Sequence, residues 1–311
     1  MDHLPGPPPA SIIWDTYVVS YVWFSGLTIL TYDTILTFPR EVTYIWRRKR
    51  SFPTILYLIL RYWGLVVAVL CTCVYSTVQT SVSVCRLFFG FAALVGTNTT
   101  LLTIVNAILG LRLYALYGKS FLVLCVLFVL FLGEFAVQVY VGVKIGISTV
   151  KGAFVPPPGL PILGCLTSPP DLSGARIAWA VSIFVSLVCF SMTTIKFILS
   201  TQEAQQTGWR QRASWRVQLS PIAKAFVRDG AVYFLAVLAT LIAGTINSSV
   251  ARGPNTVMYQ PFMTASLVVA GSRMVLNLRE VAAIGFSDSV DTSVTTDRIQ
   301  TTIGFQDSRT I

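Results

Sequence analysis

Residues 120–143 read SFLVLCVLFVLFLGEFAVQVYVGV, an unbroken apolar run relieved only by Glu134 and Gln138. A bilayer core of about 30 Å needs roughly 20 residues of helix at 1.5 Å rise per residue, so this stretch has the length and character of a transmembrane helix. Six further runs share that character: Ile12–Leu36, Pro53–Val78, Val84–Leu111, Ile177–Leu199, Ala231–Val250 and Tyr259–Leu278. The chain is 54% hydrophobic and 12% charged with a mean hydropathy of +0.70, whereas soluble domains carry about 25% charged residues. The expected fold class is all-α: a polytopic membrane protein built as a seven-transmembrane-helix bundle over residues 12–278.

The net charge of +10 is organised by topology. Lys and Arg fall in short clusters between apolar runs, the pattern that retains loops on the cytoplasmic side. Five (Arg86, Lys144, Lys151, Arg176 and Arg252) lie on the side of the N-terminus, and sixteen lie on the other. The sixteen are grouped at Arg40–Arg50, at Arg112 and Lys119, along Lys196–Arg228, and in the tail. This asymmetry predicts an extracellular N-terminus (residues 1–11) and a cytoplasmic tail (279–311). Nucleic acid is not an expected partner; the lipid bilayer is. The N-terminus MDHLPGPPPASII has no basic region and no small-residue cleavage site, so no secretory signal peptide is expected.

Two loops stand out. The fourth, GISTVKGAFVPPPGLPILGCLTSPPDLSGA, is rich in Pro and Gly and is expected to lie extended over the outer mouth of the bundle. The fifth places Trp215, Leu219, Ile222 and Phe226 at helical spacing among basic residues. It is expected to be an amphipathic extension of the sixth helix, touching anionic lipid and offering a surface for a cytoplasmic signalling partner. Beyond a short surface helix at Arg279–Phe286, the tail from Ser287 has 10 Ser or Thr in 25 residues and reads as disordered.

Ionisable groups inside a bilayer cost about 2.5–3.5 kcal/mol each and mark pairing or function. Asp33 and Arg61 fall at matching depths on the first two helices and are expected to pair, with Glu41 as the alternative partner of Arg61. Glu134 and Gln138, one turn apart, form a candidate ligand or proton site together with Asn98 from the polar stretch of helix three; a hydrogen-bonded structural Glu134 is the competing reading. An inner polar cluster is expected from Asn106, Arg112, Arg273 and Asn277. Of six cysteines, Cys71, Cys73, Cys125 and Cys189 sit inside apolar helices as small hydrophobes. Cys85 and Cys165 remain, both on the oxidising side, and are expected to form a disulfide. Among the sequons, Asn98 is mid-membrane and Asn247 lies too close to the bilayer for ready glycosylation.

Tyr32-Asp33, Leu36-Thr37-Phe38-Pro39-Arg40-Glu41, Ile45-Trp46-Arg47-Arg48 and Arg61-Tyr62 recur here in an order that resembles the N-terminal domain of unknown function of many fungal seven-helix membrane proteins. The resemblance covers about residues 21–66 and implies an integral membrane protein without implying a mechanism.

Function is expected to be receptor-like or sensory, with a transporter or channel, or a structural membrane scaffold, as the alternatives. Several features shared with G-protein-coupled receptors are absent: no acidic residue precedes Arg112, the sixth helix has no internal Pro, and the seventh has no Asn-Pro-x-x-Tyr. The seventh helix has no Lys for a retinal Schiff base, and the lone His3 leaves no metal site or Ser-His-Asp triad to assemble. Neither enzymatic activity nor a cofactor is expected. Localisation to the plasma membrane as a multi-pass protein follows from this reading. The orientation is testable: a tag at residue 1 is expected to be accessible to protease in intact cells and a tag at residue 311 only after permeabilisation, and the reverse result would overturn it.

Overall fold

The computed structural model describes residues 9–48, 51–78, 81–95, 97–155, 160–169, 173–208, 219–280 and 283. Within them the chain forms eight helices: α1 (Pro9–Glu41), α2 (Phe52–Ser76), α3 (Val82–Val95), α4 (Thr97–Leu116), α5 (Phe121–Lys151), α6 (Ser173–Gly208), α7 (Leu219–Val250) and α8 (260–280). Five stretches are long and apolar enough to cross a membrane: Phe52–Ser76, Val82–Leu116, Phe121–Lys151, Gly174–Lys196 and Gly253–Glu280. The protein is therefore an all-α polytopic membrane protein.

Local signals explain the helix ends. Ser51 opens α2 with its N–H bonded to Thr54 Oγ1 at 3.3 Å, and Pro53 occupies the first turn, where its missing N–H has no intrahelical partner to lose. Gly118 and Lys119, at φ +63° and +62°, turn the chain between α4 and α5. Two boundaries differ from expectation. Helix α1 continues through Pro39 to Glu41 and into a π-helical turn at Val42–Trp46, where a basic loop was expected from Arg40. The run expected as one third helix is helical on both sides of residue 96, which lies outside the described residues, as α3 and α4; together they form the single apolar stretch Val82–Leu116, and the Thr100 hydroxyl donates to the Val95 carbonyl. Helix α5 extends to Lys151 because the loop's prolines begin only at Pro156, and Gly152 caps it by donating to the Ser148 carbonyl at 2.9 Å. Helix α7 begins at Leu219, so the backbone of the expected amphipathic extension is helical from there. Trp215, Arg210, Arg212, Arg216 and the Ser/Thr-rich tail lie outside the described residues.

Core and periphery sort by hydropathy. Stretch Phe121–Lys151 has the highest mean hydropathy, 2.5, and its most apolar window is 17% buried; Gly253–Glu280 has the lowest, 1.2, with 67% buried. A helix facing hydrocarbon must be apolar, whereas one wrapped by protein can carry polar groups that its neighbours satisfy. The main core accordingly gathers on α8: Met263, Leu267, Val268 and Leu276 pack with Tyr57 and Leu60 of α2, Leu101 and Val105 of α4, and Leu241 of α7.

One end of the bundle carries a small covered loop. Ala153–Phe154 pairs antiparallel with Leu166–Thr167, Gly164 bridges Val78 at the end of α2, and Leu163 N–H reaches Thr16 Oγ1 of α1 at 3.4 Å. Gly164 has φ +78°, and a side chain there would also meet Tyr75 at 3.1 Å. Cys85 of α3 and Cys165 of this loop are disulfide-bonded, with Cα atoms 5.4 Å apart. The opposite end, where α1 and α8 finish and α2 begins, is rich in arginine.

Helices α3 and α5 approach closely where Gly146 faces Ala93: a Cβ built on Gly146 would lie 2.1 Å from the Ala93 Cβ. Gly146→Ala is expected to destabilise the detergent-solubilised protein by about 1–3 kcal/mol through overpacking. Adding Ala93→Gly should restore much of the loss; no recovery in the thermal midpoint would show that the contact is not the cause.

Candidate functional site

Ionisable side chains at the arginine-rich end pair differently from expectation. Arg61 is 1% exposed, and its Nε lies 3.1 Å from Oε2 of Glu41, itself fully buried. Its remaining donors reach Tyr57 Oη at 2.7 Å, the Thr34 carbonyl at 2.7 Å and Thr37 Oγ1 at 2.8 Å. Glu41 Oε1 accepts from Trp46 Nε1 and Tyr62 Oη, both at 3.0 Å, and the π-helical turn is what brings Trp46 back over it. The expected Asp33–Arg61 pair is thus replaced: Arg61 takes the alternative partner Glu41, and Asp33 takes Arg273 of α8, with Oδ1 2.7 Å from both Nε and Nη2. Depth matched, but Asp33 points to α8 rather than α2.

Helix α8 is clamped to α1 and α2 by further arginines. Arg40 donates to Asn277 Oδ1 at 2.8 Å and pairs with Glu280. Arg279 bonds the hydroxyls of Ser51 and Thr54 and the Tyr44 carbonyl. Arg112 of α4 donates to the Met274 carbonyl. Of the expected inner cluster, Arg273, Asn277 and Arg112 therefore all sit at this end, on or against α8. Asn106 does not: its Nδ2 donates to Glu134 Oε2 at 2.8 Å, so it belongs to the middle of the bundle.

Glu134 is 3% exposed and is enclosed between Asn106 of α4 and α6, where Ser182 lies beside it. One turn toward the loop-covered end, Gln138 is anchored by its amide nitrogen to Ser182 Oγ at 2.7 Å and to the Ala178 carbonyl at 3.3 Å. Asn98 accepts from Thr264 Oγ1 of α8 at 3.1 Å. The expected trio divides: Asn98 and Gln138 line a cavity, whereas Glu134 is sealed beneath it.

That cavity, about 1620 Å³, occupies the disulfide-bonded end of the bundle under the loop. Phe135, Gln138, Val139, Gly142 and Gly146 present one face of α5 to it, and Phe135 and Val139 remain 43% and 39% exposed. Aromatic pairs stiffen the wall: Trp23 stacks on Tyr75 at 5.5 Å, and Trp179 meets Tyr259 edge-on at 5.2 Å. Asp15 of α1 and Arg252 are the charged lining residues among those described, and Asp15 has no hydrogen-bond or ion-pair partner there. Sequence reading missed Asp15 because it lies near the start of an apolar run, where a solvated carboxylate is unremarkable. No group of three potential metal ligands occurs among the described residues.

A double-mutant cycle tests the ion pairs. Asp33→Asn and Arg273→Gln are expected to couple by about 1–3 kcal/mol in thermal stability, and Asp33→Asn with Arg61→Gln far less. Arg61→Met alone should cost about 3–5 kcal/mol, because Glu41 is left charged in an apolar site. Stronger coupling of Asp33 to Arg61 than to Arg273 would reverse the assignment.

Residues 21–66 match a family of unknown function, DUF6533. No curated protein matches the chain. Asp33, Arg40, Glu41, Tyr57, Arg61 and Tyr62 all fall inside the matched segment, so the segment similar to this family carries the buried charges Asp33, Glu41 and Arg61 of the arginine-rich end.

Proposed function

We propose that the protein is a receptor-like, non-enzymatic seven-span membrane protein of the plasma membrane, with its N-terminus outside, whose outer cavity receives a ligand. The seven spans comprise the five long apolar stretches together with α1, 33 residues long but carrying Asp15 and Asp33, and α7, whose apolar part Leu235–Val250 is shorter. The loop-covered end is outer on the count of basic residues, and its disulfide accords with an oxidising compartment. The resemblance to fungal seven-helix proteins supports the same architecture.

The observation that carries the reading is the cavity of about 1620 Å³ on that end, lined largely by apolar side chains with a few convergent polar ones, the usual character of a small-molecule site. Its position speaks against the transport reading, since Glu134 with Asn106 closes the floor and the paired arginines fill the far end. A purely structural scaffold leaves the cavity without a role. The basic segment between α6 and α7 is the proposed docking surface for a cytoplasmic signalling partner.

Cysteine accessibility tests the cavity. With Cys71, Cys73, Cys125 and Cys189 replaced, Gln138→Cys is expected to react with a membrane-impermeant thiosulfonate applied outside intact cells. Glu134→Cys and the outward-facing Tyr140→Cys should resist. An unreactive Gln138→Cys beside a reactive Arg86→Cys control would sink the proposal.

A further inference from the structure

Two amides stand in the cavity with one end pinned and the other unused. Gln138 spends its nitrogen on Ser182 and the Ala178 carbonyl, and since a backbone carbonyl only accepts, the atom left over is the acceptor Oε1. Asn98 is held through Oδ1 by Thr264, which leaves its Nδ2 donor, and no further partner for either amide exists among the described residues. Pinning fixes their directions, so any ligand bond to them forms with little loss of rotamer freedom.

Charge is confined to the rim. Thr16, next to Asp15, bonds the covering loop, and Arg252 is exposed between α7 and α8. Gln138 lies thirteen residues before the end of α5 at Lys151, about 20 Å deeper along the helix. At that depth the wall is Phe135, Val139, Leu102 and Met263, with no cation or carboxylate lining it among the described residues. A charged headgroup driven there would lose its water without gaining a counter-ion, which costs far more than two amide hydrogen bonds return.

We infer that the cavity floor binds an uncharged lipophile, an apolar body carrying a hydroxyl or carbonyl group, with that group hydrogen-bonded to Gln138 Oε1 or Asn98 Nδ2. The inference rests on the reading of the cavity as a ligand site and specifies which chemistry it accepts. The volume exceeds the roughly 300–1000 Å³ of ordinary small-ligand pockets, which suits a long aliphatic or polycyclic body. Asp15 and Arg252 then face the entrance and the water above it.

Photolabelling of the full chain in lipid nanodiscs tests this with four diazirine-bearing twelve-carbon probes: the alcohol, the hydrocarbon, the alkylammonium and the carboxylate. The alcohol is expected to label peptides around Asn98 and Gln138 most strongly, and both charged probes about tenfold less. Gln138→Leu should reduce alcohol labelling about tenfold, the worth of one hydrogen bond, and leave the hydrocarbon unchanged. Asn98→Leu supplies the second variant should Gln138→Leu fail to fold, and the four-probe comparison on the unmodified protein requires no variant. If the ammonium probe dominates and Asp15→Asn abolishes it, the ligand class is wrong and the cavity reading survives. If alcohol and hydrocarbon label equally, and neither variant matters, the amides recognise nothing and the inference falls. If no probe labels the cavity while all label the lipid-facing surface, the ligand-site reading itself fails.

Discussion

Arg61 is almost wholly withdrawn from the surface within a helix long and apolar enough to cross a membrane, and that constraint organises one end of the molecule. A guanidinium there is tolerable only if its donors are used and its charge is answered. Glu41 answers the charge; Tyr57, Thr34 and Thr37 take donors. Glu41 in turn requires Trp46 and Tyr62, and Trp46 reaches it because α1 ends in a π-helical turn rather than unwinding at Pro39. Helices α1 and α2 are thereby joined through side chains whose individual removal leaves a buried charge.

From that joint the two ends of the bundle diverge. At the arginine-rich end α8 is tied to α1 and α2 by Arg273, Arg40 and Arg279. At the opposite end the helices splay around a large hollow, and order is restored by a disulfide, a two-stranded pairing and one bond to Thr16. A closed, charge-locked floor beneath an open, largely apolar chamber suits a protein that admits a molecule from one face and holds it there. The high burial of α8 means that it touches both regions: Thr264 reaches Asn98 near the chamber, and Arg273 reaches Asp33 nine residues later.

Much of the helical plan was legible because hydrocarbon demands it: the apolar runs coincide with helices, and the most apolar run, around residues 120–143, is the least buried. Depth was legible as well, since spacing from a helix end converts directly to distance along the axis. Azimuth was not. Asp33 and Arg61 share a level, yet which neighbour each faces depends on how helices rotate and pack, and Asp33's partner lies 240 residues away. Asn106 was misplaced for the same reason: it faces α5, not the arginine-rich end. The cavity was legible only in part: Gln138 and Asn98 were singled out as polar groups in apolar helices, but its apolar lining is individually ordinary and its extent depends on how the helices pack.

The disulfide also says something about biosynthesis. Its two cysteines are 80 residues apart, and the intervening chain leaves the loop-covered end through α3 and α4 and returns through α5. A membrane-embedded chain can close such a bond only when an even number of crossings separates the two thiols, so that both arrive in the same compartment. In the proposed orientation that compartment is the lumen into which the outer loops are delivered during synthesis. A lumenal oxidase therefore gains both substrates only after α5 has been threaded back across. Once formed, the bond ties the loop-covered ends of α3 and α5 to the same compartment, so neither can change sides of the membrane without the other.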